Sequence, residues 1–88
     1  MASYKVEVKK SALKDLEKLD KHYISKIFQK IESLPENPRP VQSLKLKGSR
    51  DSYRLRVGDF RIIYQIDDPT KTVTVFGIGH RKEVYRKV

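Results

Sequence analysis

The residues of this chain best suited to chemistry are arginines. Between Ser52 and Ile66 the chain reads Ser-Tyr-Arg-Leu-Arg-Val-Gly-Asp-Phe-Arg-Ile-Ile-Tyr-Gln-Ile. Period-two alternation puts Tyr53, Leu55 and Val57 on one face of a strand and Arg54 and Arg56 on the other. If Gly58-Asp59 is a two-residue hairpin loop, Val57 pairs with Phe60, Arg56 with Arg61 and Leu55 with Ile62. Like charges directly opposite each other destabilise a sheet. A fold that keeps Arg56 across from Arg61 is expected to place an anion between them, and phosphate is the first candidate.

His80, Arg81 and Tyr85 follow the last strand-like run, and Lys45, Lys47 and Arg50 precede the hairpin. Together with Arg54, Arg56 and Arg61 this set suits cleavage of an RNA phosphodiester. The ribose 2′-hydroxyl attacks the adjacent phosphorus, charge builds on the non-bridging oxygens, and the leaving 5′-oxygen needs a proton. Fixed guanidiniums aimed at those oxygens stabilise them without a metal. One group must take the 2′-hydroxyl proton and another must protonate the leaving group. His80 stands nearest the cluster among the two histidines, and histidine is the natural proton carrier at neutral pH. Tyr85 can stack on a base or share in the proton transfer. Lys45, Lys47 and Arg50 read as contacts to the RNA backbone. The plainer reading makes the arginines solvent-side strand residues, His80 and Tyr85 structural, and the basic face a contact for an acidic protein.

Other chemistries find little support. His22 and His80 lie far apart with no zinc-binding spacing, so no metal site is expected. Gly77-Ile78-Gly79 ends a strand but lacks the third glycine and the helix of a dinucleotide site. Ser11, Ser43, Ser49 and Ser52 have no adjacent base-and-acid pattern, so no serine nucleophile is indicated. No cofactor is expected.

The elements that must position the arginines follow from periodicity. Tyr4 to Val8 alternates as a first strand. Ser11 is the expected N-cap of a helix with Leu13, Leu16 and Leu19 on one stripe. Asp20 is the expected cap of a second helix carrying Tyr23, Ile24, Ile27, Phe28, Ile31 and Leu34, which Pro35 ends. The stretch from Pro35 to Pro40 is a rigid loop. Val41 to Lys47 reads as a short strand with Leu44 and Leu46 inward and Lys45 and Lys47 outward. A turn at Gly48 to Asp51, the arginine hairpin, a turn at Asp67 to Thr70 and a strand from Thr72 to Ile78 complete the order. The expectation is an α+β domain spanning 1–88, two N-terminal helices on one face of a small, mostly antiparallel sheet of four to five strands. The arginines occupy the other face.

Eighty-eight residues make one domain with a small core. There is no cysteine, hence no disulfide framework, and no apolar run long enough to span a bilayer or serve as a secretory signal. The chain reads as soluble and cytoplasmic. Its net charge of +9 is uneven. Residues 1–38 hold eight lysines, six acids and no arginine, a net of +2. Residues 39–88 hold five lysines, seven arginines and five acids, a net of +7. Arginine grips phosphate bidentately, so a polyanion is the expected partner.

The motifs Leu46-Lys47-Gly48, Tyr53 through Tyr64, and Gly79-His80-Arg81-Lys82-Glu83-Val84-Tyr85, in this order of elements, resemble the RelE/ParE superfamily of toxins from toxin–antitoxin modules. The resemblance implies a compact toxin neutralised by a cognate antitoxin that wraps its basic surface. RelE-like members cleave mRNA in the ribosomal A site and inhibit translation; ParE-like members inhibit DNA gyrase and lack the nuclease residues. On the RelE side, Arg54 and Arg56 stand at positions of basic residues that contact the scissile phosphate. Arg61 and Arg81 match transition-state arginines, and Tyr85 matches a tyrosine that stacks on the substrate nucleotide. His80 stands where some members carry a catalytic histidine. The expected activity is a metal-independent endoribonuclease acting on ribosome-bound mRNA. The alternatives are a gyrase inhibitor and a plain RNA-binding module.

Overall fold

The computed structural model describes residues 3–48 and 50–80. Seven elements follow one another: β1 (Lys5–Val8), α1 (Lys10–Glu17), α2 (Lys21–Ser33), β2 (Ser43–Lys45), β3 (Ser52–Val57), β4 (Phe60–Asp67) and β5 (Thr72–His80). The strands form one sheet in the order β1-β5-β4-β3-β2. All neighbours are antiparallel except β1 and β5, which run parallel and bring the two ends of the fold together. Both helices cover one face, α1 over β5 and α2 over β3. The α+β architecture expected from periodicity is the one observed.

Alternation explains the core. Leu55, Ile62, Tyr64, Ile66, Val73, Val75 and Ile78 point from the sheet toward Ala12 and Leu16 of α1 and Ile27, Ile31 and Leu34 at α2. Tyr64 is fully buried, stacks on Tyr53 at 5.9 Å between ring centroids, and donates its hydroxyl hydrogen bond to the Pro38 carbonyl at 2.8 Å. That bond ties the proline loop to the sheet. A second tie runs through Asp68, whose carboxylate accepts from Tyr4 Oη at 2.6 Å and from Arg39 Nη2 at 2.8 Å. Arg39 also donates to Tyr53 Oη at 3.1 Å. The Arg39 and Tyr4 bonds hold the Asp68 carboxyl below the usual carboxylate range.

Two helix expectations need correction. Ser11 is not the N-cap of α1: Lys9 holds that position, and Ser11 lies within the helix, where its Oγ donates to the Phe76 carbonyl at 2.8 Å. Leu13 is not part of the buried stripe but 44% exposed, and Ala12, Asp15 and Leu16 face inward instead. The reason is the edge of β5. Strand β1 ends at Val8, so beyond Val75 the backbone of β5 has no neighbouring strand on that side. Helix α1 takes over: Ser11 accepts the role of donor to Phe76, and Asp15 Oδ2 accepts from the Ile78 N–H at 3.0 Å. Asp20 does sit at the N-cap of α2, but its side chain makes no capping bond and its backbone carbonyl receives Tyr23 and Ile24.

Asp15 is 7% exposed, so Asp15→Ala leaves a buried N–H at Ile78 without this acceptor. Unfolding in urea is expected to show a loss of about 1–3 kcal/mol, and Asp15→Asn, which keeps an acceptor oxygen, recovers most of it. Equal losses in the two variants would point away from the hydrogen bond as the cause. Among the described residues, no helix is long and apolar enough to cross a membrane.

Candidate nucleic-acid cleavage site

The hairpin has the expected register: Val57 opposite Phe60, Arg56 opposite Arg61 and Leu55 opposite Ile62. Gly58 takes φ +60 while Asp59 does not enter positive φ, the pattern of a II′ turn with glycine first. Loop length therefore fixes register. Val57–Phe60 closes the hairpin, which makes Arg56–Arg61 a non-hydrogen-bonded pair, the kind whose Cα atoms approach to about 4.5 Å. In keeping with this, the Arg56 N–H turns the other way, to the Gln42 carbonyl at 3.4 Å.

Arg54, Arg56 and Arg61 share the face away from the helices and line one shallow trough of about 380 Å³, walled by Val41, Gln42 and Leu44. Beside Arg61 and Ile63, β5 offers Gly79 and Gly77, so no side chain from that strand crowds the trough. Arg56 is exposed, Arg54 half-buried, and Arg61 only 6% exposed. The Arg61 guanidinium donates from Nη1 to the carbonyls of Gly58 at 3.3 Å and Phe60 at 3.0 Å. Its Nε is buried with no acceptor among the described residues. Among the described residues the ion pairs are Lys5–Glu7 and Arg39–Asp68, and neither involves the three trough arginines. A buried guanidinium with a free N–H and two cationic neighbours is an arrangement that favours binding of an anion.

The other sequence-derived candidates fall elsewhere. His80 is on the opposite face, the helix side, where its ring meets Phe60 edge-on at 6.2 Å. A β-bulge is the cause. Tyr64 pairs with Val75 and Ile63 with Gly77, so Phe76 is an extra residue in β5. The bulge reverses parity, turning Gly77 and Gly79 toward the arginines and Ile78 and His80 toward the helices. The expected inward Leu44 is likewise corrected. Leu44 pairs with Arg54 and is 56% exposed on the arginine face, whereas Lys45 pairs with Tyr53 on the helix side. Lys47 lies in the turn after β2. Arg50 lines a separate cleft with Arg39 and the acids Asp51, Asp67 and Asp68. Arg81 and Tyr85 lie outside the described residues. Sequence reasoning missed the trough wall: Leu44 and Val41, the latter 96% exposed, are the apolar residues beside the arginines.

Known proteins resemble this chain in sequence and in fold. Residues 6–85 match the family described as "ParE toxin of type II toxin-antitoxin system, parDE". A RelE-like toxin protein of Escherichia coli is 35% identical over 81 residues, covering 90% of this chain and 84% of its own. The mRNA interferase toxin RelE of Escherichia coli K12 is 32% identical over 87 residues, covering 94% of this chain and 90% of its own. Among solved structures, the archaeal RelE–RelB complex from Pyrococcus horikoshii aligns with a TM-score of 0.81 at 28% identity, over 92% of this chain and 98% of that one.

Proposed function

This chain belongs to the RelE/ParE superfamily of type II toxin–antitoxin toxins, and on that premise we propose that it is an endoribonuclease that cuts ribosome-bound mRNA without a metal. The observation that carries the reading is Arg61: a buried guanidinium beside Arg54 and Arg56 that has no acid partner and a free Nε–H among the described residues. Burying a guanidinium is costly and repays only where an anion arrives with the ligand. The relatives named mRNA interferase support the same reading.

In the proposed reaction the 2′-oxygen attacks phosphorus and the bond to the 5′-oxygen breaks. The products are a 2′,3′-cyclic phosphate and a 5′-hydroxyl. The trough arginines hold the non-bridging oxygens as charge accumulates on them. Guanidiniums keep their protons, so they act as charge stabilisers. By resemblance, Arg81 joins them and Tyr85 stacks on the nucleotide. Proton transfer falls to Tyr85 and to groups of the ribosomal A site. His80, on the far side of the sheet, has no part in this reading. The partner that restrains the toxin is a cognate antitoxin, as in the RelE–RelB complexes that share the fold.

Expression without antitoxin, followed by mapping of mRNA 5′ ends on ribosomes, tests the proposal. Cleavage clustered within A-site codons is the expected result. Intact ribosome-bound mRNA together with inhibited supercoiling would assign the chain to the gyrase-inhibiting side of the superfamily. Intact mRNA with normal supercoiling and salt-sensitive RNA binding would make it a plain RNA-binding module.

A further inference from the structure

The open face of the sheet is laid out in rows that cross its strands. Nearest the hairpin tip, Arg56 pairs with Arg61 and Arg61 with Gly79, and the Gln42 carbonyl receives the Arg56 N–H. The next row is Leu44, Arg54, Ile63 and Gly77. The third is Ser52, Gln65, Thr74 and Glu7. Charge changes from row to row. The first row holds two guanidiniums opposite each other. The second holds one, set between the exposed Leu44 and the buried Ile63. The third holds no cation, and around it Glu7, Asp51 and Asp67 line a cleft of about 360 Å³. An anionic strand is thus attracted to the first two rows and repelled beyond them.

Arg54 and Arg56 lie two residues apart on β3, about 6.8 Å along the strand. One extended sugar–phosphate repeat of single-stranded RNA spans such a distance. A strand with one phosphate in the first row therefore brings its next phosphate to the second. The charges fit that division. The cleaved phosphate gains negative charge in the transition state, and it meets two guanidiniums, of which Arg61 is buried with a free Nε–H among the described residues. The neighbouring phosphate keeps a constant charge, and one half-buried guanidinium answers it. We propose that the trough seats two successive phosphates of the substrate strand, the cleaved one between Arg56 and Arg61 and its neighbour on Arg54. The inference rests on the nuclease reading above and sharpens it: Arg56 and Arg61 face the developing charge, and Arg54 holds the strand in register. An acidic protein segment is the rival occupant of Arg54. Under the nuclease reading covalent continuity favours RNA, because a substrate phosphate in the first row always arrives with its neighbour attached.

The test measures binding of the full-length toxin to ribosomes programmed with an mRNA whose cleavable step is blocked by 2′-deoxyribose. The phosphate on the 5′ or the 3′ side of that step is replaced by a neutral methylphosphonate. A 2′-O-methyl ribose beside it keeps the linkage intact, and the 2′-O-methyl phosphodiester is the control. On one of the two sides the wild-type Kd is expected to rise roughly 10-fold, the size of a lost charge-assisted hydrogen bond. Arg54→Gln is expected to lose a like factor on the charged strand and nothing more on the neutralised one, and Arg54→Lys keeps most of the affinity. Arg61→Met binds less tightly but stays as sensitive to the neutral phosphate as the wild type. A residue that only shaped the fold would show no such coupling to a single phosphate. A wild-type Kd unmoved by neutralisation on either side overturns the proposal, and that arm depends on no variant folding. So does an Arg54→Gln protein that keeps full sensitivity to the neutral phosphate, or one that binds mRNA normally while losing antitoxin. Those outcomes leave cleavage by the wild type intact, whereas a wild type that spares A-site mRNA defeats the nuclease reading itself.

Discussion

Arg61→Met is expected to make the protein more stable and to abolish its activity. The side chain is 6% exposed, its charge is countered by no acid among the described residues, and Arg56 sits directly across the hairpin. Methionine keeps the straight apolar stem and removes the buried charge, the unfilled Nε and the cross-strand repulsion. Replacing buried charge by apolar volume of similar shape stabilises by about 1–4 kcal/mol in comparable cases. The same change removes a fixed donor aimed at the developing phosphate charge, which costs about 100- to 1000-fold in rate. Urea unfolding and A-site cleavage measured on one preparation check both halves. Phosphate or sulfate should stabilise the wild type by filling the trough and leave Arg61→Met much less affected, because only a folded state with the site intact gains from the anion. A destabilised Arg61→Met would mean that the guanidinium holds the hairpin together through Gly58 and Phe60, and that the trough is not strained toward an anion.

That opposition between stability and activity is the physical content of the hairpin. The register was legible in the sequence because a two-residue loop leaves no freedom: Gly58 supplies the positive φ, and every pair from Val57–Phe60 inward follows. The layer order was legible for a similar reason, since the helix and strand periods differ and turns are short. His80 was not legible. Counting by twos from Val73 and Val75 puts residue 80 on the arginine face, and only the bulge at Phe76 moves it. A trace of the bulge exists in the sequence: the apolar positions change from odd, at Val73 and Val75, to even, at Ile78. Lys45 and Leu44 were misassigned because β2 is a three-residue edge strand, where burial does not dictate which face an apolar side chain takes. Nor does a sequence reveal that Ser11 will leave its expected cap to serve the open edge of β5, because that edge is a product of where β1 stops.

The same logic of burial governs the opposite end of the sheet, where it yields a pH dependence. Burial pushes the Tyr64 phenol up to about 12, from an ordinary value of 10.0. The unfolded chain ionises near 10.0 and the folded protein resists until about 12. Stability from this group is thus complete below the lower value and falls as pH rises to the upper one, by about 2–3 kcal/mol in all. Tyr64→Phe removes the titration. It also removes the 2.8 Å bond to the Pro38 carbonyl, at a cost of about 1 kcal/mol near neutrality. The two stability curves should therefore cross near pH 11, with the phenylalanine variant weaker below and stronger above. Urea midpoints taken from about pH 8 to 12, alongside tyrosinate absorbance, decide the matter. Parallel curves would mean that water reaches the phenol and that the Pro38 bond opens readily. The consequence extends to the trough, because the loop held at Pro38 runs directly into Val41, Gln42 and Leu44, the wall beside the arginines. A loosened Pro38 in Tyr64→Phe should then lower cleavage several-fold at neutral pH while Arg61 keeps its place in the hairpin.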